Sequence, residues 1–164
     1  MNQQAYIPCF LTVVLQPHLL QFVIDELPLL LLCPAGLAYG GMEKPLSGLA
    51  LAVSLLLGLC LLYRYIYLKR VRYHIGSEQL VCERGVFQRK VDYMELYRVV
   101  DFHEQQTLMQ QIFGLKTVRI YSTDRNTPRQ DLTGIRQESD VVRIIRERVE
   151  YNRQKKGIYE ITNH

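Results

Sequence analysis

Residues 45–75 read PLSGLALAVSLLLGLCLLYRYIYLKRVRYHI, and the character of the chain changes within them. The first 19 residues, 45–63, carry no charge and include nine leucines. As a helix rising about 1.5 Å per residue they extend roughly 28 Å, the thickness of a bilayer's hydrocarbon core. Leucines inserting at about −0.3 to −0.6 kcal/mol each outweigh the cost of Gly48 and Gly58. Arg64, Tyr65, Tyr67, Lys69, Arg70 and Arg72 follow at once. This aromatic and cationic collar suits a membrane–water boundary, where rings lie among headgroups and cations reach phosphates. Beyond it the pattern alternates: Val71, Tyr73 and Ile75 are separated by Arg72 and His74, the period-2 signature of a strand.

Working toward the N-terminus, residues 27–42 (LPLLLLCPAGLAYGGM) form a weaker apolar run holding Pro28, Pro34 and three glycines. The turn signals around Gly40, Gly41, Lys44 and Pro45 make the two runs a helical hairpin, placed at 27–68. Asp25 and Glu26 then fall at the edge of the first span, where carboxylates cost little. Residues 1–26 read as an interfacial segment, because 7–24 are apolar but interrupted by Pro8, Gln16, Pro17 and His18. A third span, which would move the N-terminus to the opposite side, is the open alternative. Lys44 is balanced by Glu43 in the turn, whereas the collar is strongly cationic. The positive-inside rule therefore predicts a multi-pass protein of the inner membrane with its C-terminal domain in the cytoplasm.

Toward the C-terminus, residues 71–156 read as a mainly β domain and 157–164 as a tail. Strands are expected at 71–75, 79–84, 86–93, 97–104, 116–122 and near 129–132. Over 97–104 the alternation puts Arg98, Val100 and Phe102 on one face, with Tyr97, Val99, Asp101 and His103 on the other. Residues 107–114 (TLMQQIFG) carry Leu108, Met109, Ile112 and Phe113 at helical spacing, with Gly114 as the C-cap. A final helix is expected from about Ser139 to Lys155, with Val141, Val142, Ile145 and Val149 as its apolar stripe and its arginines and glutamates on a solvated face. The predicted fold class is thus a membrane helical hairpin followed by a bent antiparallel sheet or small barrel with a C-terminal α-helix.

That order resembles the bacterial pleckstrin-homology-like family of small membrane proteins, two spans followed by a PH-like domain. The segments carrying the resemblance are YHIGSEQLVCERGVFQRK (73–90), YRVVDFHEQQTLMQQIFGLKTVRIYST (97–123) and LTGI leading into VVRIIRERV. The resemblance implies the PH-like fold and membrane attachment, and transfers little activity. Eukaryotic members that bind phosphoinositides place a basic cluster in the first hairpin loop. Here that loop is Gly76-Ser77-Glu78, short and acidic, so no specific phosphoinositide is expected.

The composition excludes several function classes. A chain of 164 residues with net charge +4 and mean hydropathy −0.05 has no room for a separate cofactor domain. Serines lack a base and orienting acid at catalytic spacing, no glycine-rich phosphate loop occurs, and Cys9, Cys33, Cys60 and Cys82 are isolated. No enzyme, cofactor, metal or nucleic-acid partner is therefore expected. Asp101, His103 and Glu104 read as a solvated strand face, and Arg98 with Asp101 as a structural or contact polar pair. The function expected is a non-enzymatic interaction or scaffold module whose partners are the bilayer and another membrane protein or a second copy. Anionic-lipid binding or handling through the collar is the alternative.

Overall fold

The computed structural model describes residues 10–42 and 44–157. Strand β1 (Val13–Leu15) leads into α1 (Leu19–Gly40) and α2 (Ser47–Arg70). Strands β2 (Arg72–Ile75), β3 (Gln79–Arg84) and β4 (Lys90–Glu95) follow, and a 3-10 turn at Leu96–Arg98 passes the chain to β5 (Val99–Gln105). Helix α3 (Leu108–Ile112), strands β6 (Leu115–Ser122) and β7 (Arg129–Arg136), and helix α4 (Val141–Lys155) complete the order.

The strands form two antiparallel sheets, ordered β1-β2-β3-β4 and β5-β6-β7, which do not close into one barrel. Ile75, Leu80, Met94 and Leu96 from the first layer meet Val99, Val118, Ile120 and Leu132 from the second. Val141, Ile145 and Val149 of α4 seal this core, the stripe its periodicity predicts. Strand β2 buries Tyr73 and Ile75, as does Val71 just before it, and β3 has the expected bounds.

Four features depart from the sequence expectation. The first helix starts at Leu19, not Leu27, so Asp25 and Glu26 lie within it. Residues 13–15, within the segment 1–26, form a strand: Val13, Val14 and Leu15 pair with Ile75, His74 and Tyr73 and extend the domain's own sheet. Partner strands supply the backbone hydrogen bonds, so three residues suffice where local pattern reveals nothing. The third strand begins at Lys90, because Gly85 at φ +115° turns the chain sharply and holds 86–88 out of the ladder. In β5 a register shift between Val99 and Asp101 reverses the alternation. Val99 is buried and Phe102 packs beside it against the core, whereas Val100 faces outward. A bulge residue adds one to the count between them, which no period-2 reading anticipates.

Helices α1 and α2 are both long and apolar enough to cross a membrane, with windows of mean hydropathy 1.6 and 2.0. They touch through small residues. A Cβ on Gly36 would stand 2.1 Å from Ser54 Oγ, and one on Gly40 would stand 2.9 Å from Leu51 Cβ. Close backbone approach of this kind drives helix pairing where no water is present to be released. Their outer surfaces expose Leu31, Leu32, Leu49, Leu55, Leu56, Leu59 and Leu62. Residues 1–9, Glu43 of the hairpin turn and most of the expected tail, 158–164, lie outside the described residues.

Candidate functional site

The collar residues occupy the end of α2 and the start of β2, where the helical hairpin meets the β domain. Only Val71 separates the two elements, so there is no flexible linker. Arg64 donates to the Glu26 carboxylate across the helix pair, and that carboxylate is nearly buried. Tyr65 packs edge-on against Phe22 of α1 at 5.6 Å, while Lys69 lies 5.1 Å from the Tyr65 ring centre. Tyr67 lies beside Tyr63, ring centres 6.5 Å apart. Arg70 and Arg72 are exposed, and neither has an ion-pair partner among the described residues.

The same base of the domain holds a polar clasp invisible in the sequence. Gln21 in α1 and Gln110 in α3 are each only 3% exposed. Gln110 Nε2 donates to Gln21 Oε1 at 2.9 Å and to Thr117 Oγ1 at 3.0 Å, and Gln21 Nε2 donates to Asp25 Oδ1 at 2.8 Å. Gln110 Oε1 also accepts from Thr107 N–H while Thr107 Oγ1 accepts from Gln110 N–H, closing a capping box on α3. Burying two amides is affordable only because each finds partners. The sole sequence hint is a glutamine inside each apolar segment.

Burying Gln110 turns the other side of α3 outward. Leu108 is 77% and Ile112 73% exposed, with Met109 and Phe113 also open. The helical spacing was legible, but its apolar side faces away from the core. Beside it lies a groove of about 710 Å³ lined by His18, Leu20, Phe113, Leu115 and Arg136.

The structure does not bring Arg98 and Asp101 together. Arg98 Nη1 lies 3.6 Å from Asp124 Oδ1, its Nε donates to the Tyr97 hydroxyl at 2.9 Å, and Asp101 Oδ1 accepts from the Phe102 amide at 2.7 Å. The 3-10 turn and the register shift set the two side chains apart. Asp101, His103 and Glu104 are exposed, with Glu104 paired to Lys116 at 3.1 Å. Among the described residues no three His, Cys, Asp or Glu side chains cluster to hold a metal.

Two apolar helices feeding an open pair of antiparallel sheets capped by a C-terminal helix define a hairpin-borne PH-like protein. The chain belongs to the bacterial PH domain family, whose model matches residues 21–149. That span takes in the helical hairpin and stops near the end of the α4 apolar stripe, leaving β1 outside it. No curated protein and no solved structure matches the chain.

Proposed function

We propose that this chain is a membrane-anchored, non-enzymatic interaction module at the inner face of a bacterial membrane. Helices α1 and α2 span the bilayer, and the PH-like domain stands on the cytoplasmic surface and docks another protein of the same membrane. The leucine surface of the hairpin supports the span. A soluble core helix would bury that surface, but the leucines at 49, 55, 56, 59 and 62 are exposed. The four cations Arg64, Lys69, Arg70 and Arg72 at one end support the orientation.

The observation that carries the docking role is the outward apolar face of α3 beside its groove. Exposed Leu108 and Ile112 on a rigidly capped helix suit a partner surface. The Gln110–Gln21 bond ties that helix to the first turn of α1, so whatever covers it also sits at the membrane. Tethering both proteins in two dimensions raises their effective concentration, and a small contact then suffices.

A photo-crosslinking amino acid at Ile112 of the full-length chain in native membranes tests this. A discrete protein adduct, absent when the probe replaces the exposed Val100 of β5, is the expected result. An adduct of the chain with itself makes the partner a second copy. Lipid adducts alone, with no protein band, would reject docking by α3.

A further inference from the structure

Phe87, at the tip of the loop joining β3 to β4, is 92% exposed, more than any other large hydrophobic side chain among the described residues. The ring is not loose in solvent. It stacks on Tyr63 of α2 with centres 5.9 Å apart and planes 9° from parallel, and Tyr63 in turn lies beside Tyr67. Tyr63 closes the charge-free run of α2 and lies seven residues, roughly 10 Å of helix, before Arg70 at its end. Phe87 therefore reaches back along the helix toward its apolar part, past the cations. The loop is built to hold this pose: Gly85 has φ +115°, and a Cβ there would stand 1.9 Å from the Gln88 carbonyl oxygen.

Behind the loop a cleft of about 280 Å³ is lined by Arg70, Arg72, Glu83, Arg84 and Arg89. Its one lining acid, Glu83, is already engaged, with Arg89 Nη2 2.7 Å from Oε1, while Arg84 donates to Asp92 of β4. Among the described residues, Arg70 and Arg72 are left as two guanidiniums without an ion-pair partner. An apolar tip set below unpaired arginines matches the cross-section of a bilayer surface, with acyl chains beneath and phosphates above.

We infer that loop 85–89 is a lipid-contacting foot: Phe87 enters the cytoplasmic leaflet, and the cleft holding Arg70 and Arg72 seats the phosphate of an anionic phospholipid. The inference rests on the spanning hairpin proposed above. It adds a second, non-spanning attachment on the α2 side of the domain, away from α3 and distinct from the acidic Gly76-Ser77-Glu78 turn. Guanidinium groups bind phosphate oxygens through paired N–H donors, so each arginine adds orientation as well as charge.

The chain contains no tryptophan, so a single introduced one reports its own surroundings. Full-length Phe87→Trp, Leu56→Trp and Val100→Trp would each be reconstituted into phosphatidylcholine–phosphatidylglycerol vesicles with bromine placed at shallow or deep acyl positions. Trp at 87 should be quenched by shallow bromines, Trp at 56 by deep ones, and Trp at 100 by neither. Quenching at 56 without quenching at 87 overturns the foot while leaving the span intact. No quenching at 56 overturns the span itself. For the headgroup, phosphatidylglycerol retained by the purified protein should fall about fivefold for each of Arg70→Gln and Arg72→Gln. Retention equal to wild type in the double variant overturns the phosphate site.

Discussion

Arg148 is a cation buried without an acid opposite it. Only 4% exposed on α4, it donates to the carbonyl of Ile75, to that of Gly76 at 2.8 Å and to that of Leu11 at 2.7 Å, with the Phe10 ring 5.4 Å away. Burial pulls its pKa below the ordinary arginine value. Charge alternation along α4 reads as a solvated face, and for Arg143 and Glu147 it is one. Arg148 departs because the N-terminal segment folds over it. Arg148→Met would remove the guanidinium donor from three carbonyls and should cost about 2–4 kcal/mol in thermal unfolding. Arg148→Lys should recover only part, since an ammonium cannot reproduce the guanidinium fork. Asp131 is the opposite case. Arg129 Nη2 at 2.6 Å and Arg119 Nε at 3.0 Å hold its carboxyl below the usual carboxylate value of 3.8. A depressed folded pKa gives stability that is complete above about pH 4 and drains away as pH falls toward the folded value. Melting temperature should therefore drop on acidification below that point, and Asp131→Asn should flatten that part of the profile.

Among the elements, the junction of α1 with β7 depends on one glycine. His18 N–H donates to Gly134 O at 2.9 Å, and Gly134 adopts φ +71°. A Cβ there would stand 2.9 Å from Gln21 Cβ, against the very side chain that forms the clasp with Gln110. Gly134→Ala should strain the backbone by roughly 1–2 kcal/mol and push α1 away. Hydrogen exchange should then quicken at the amides of β1 and the first turn of α1, with α4 unchanged. Strand and helix identities were largely legible, since alternation marks β2, β3 and β6 and the stripe of Val141, Ile145 and Val149 marks α4. What local pattern could not carry was β1, which exists only because β2 lies beside it, and the shift in β5, which a bulge produces. The candidate site divides the same way. Its collar was readable from composition; its glutamine clasp, Phe87 and the outward face of α3 were not, because each depends on a neighbour distant in sequence.

For the whole molecule, the decisive fact is that the hairpin is inserted between β1 and β2, two adjacent strands of one sheet. With α1 and α2 crossing the bilayer as proposed above, both strands stand on the same side, and an added span between β1 and the hairpin has no place. A membrane-impermeant maleimide should label Val14→Cys and Val100→Cys from the cytoplasmic side only. Met42→Cys, at the hairpin turn, should label from the outer side only. Labelling of position 14 from outside would break the pairing of β1 with β2 in the membrane.

By itself the sequence determined the two-part character of this protein. Charge-free leucine runs, the cationic collar and the switch from continuous to alternating hydropathy are local quantities, set by partition between water and an apolar phase. Mean hydropathy near zero conceals them, because the apolar hairpin and polar domain cancel. The tertiary structure alone decided where the domain begins, which face of α3 is bare, and that Phe87 stands against Tyr63. Those follow from strand pairing, buried amide partners and a positive-φ turn, which bring together residues tens of positions apart and leave no periodic trace in the chain.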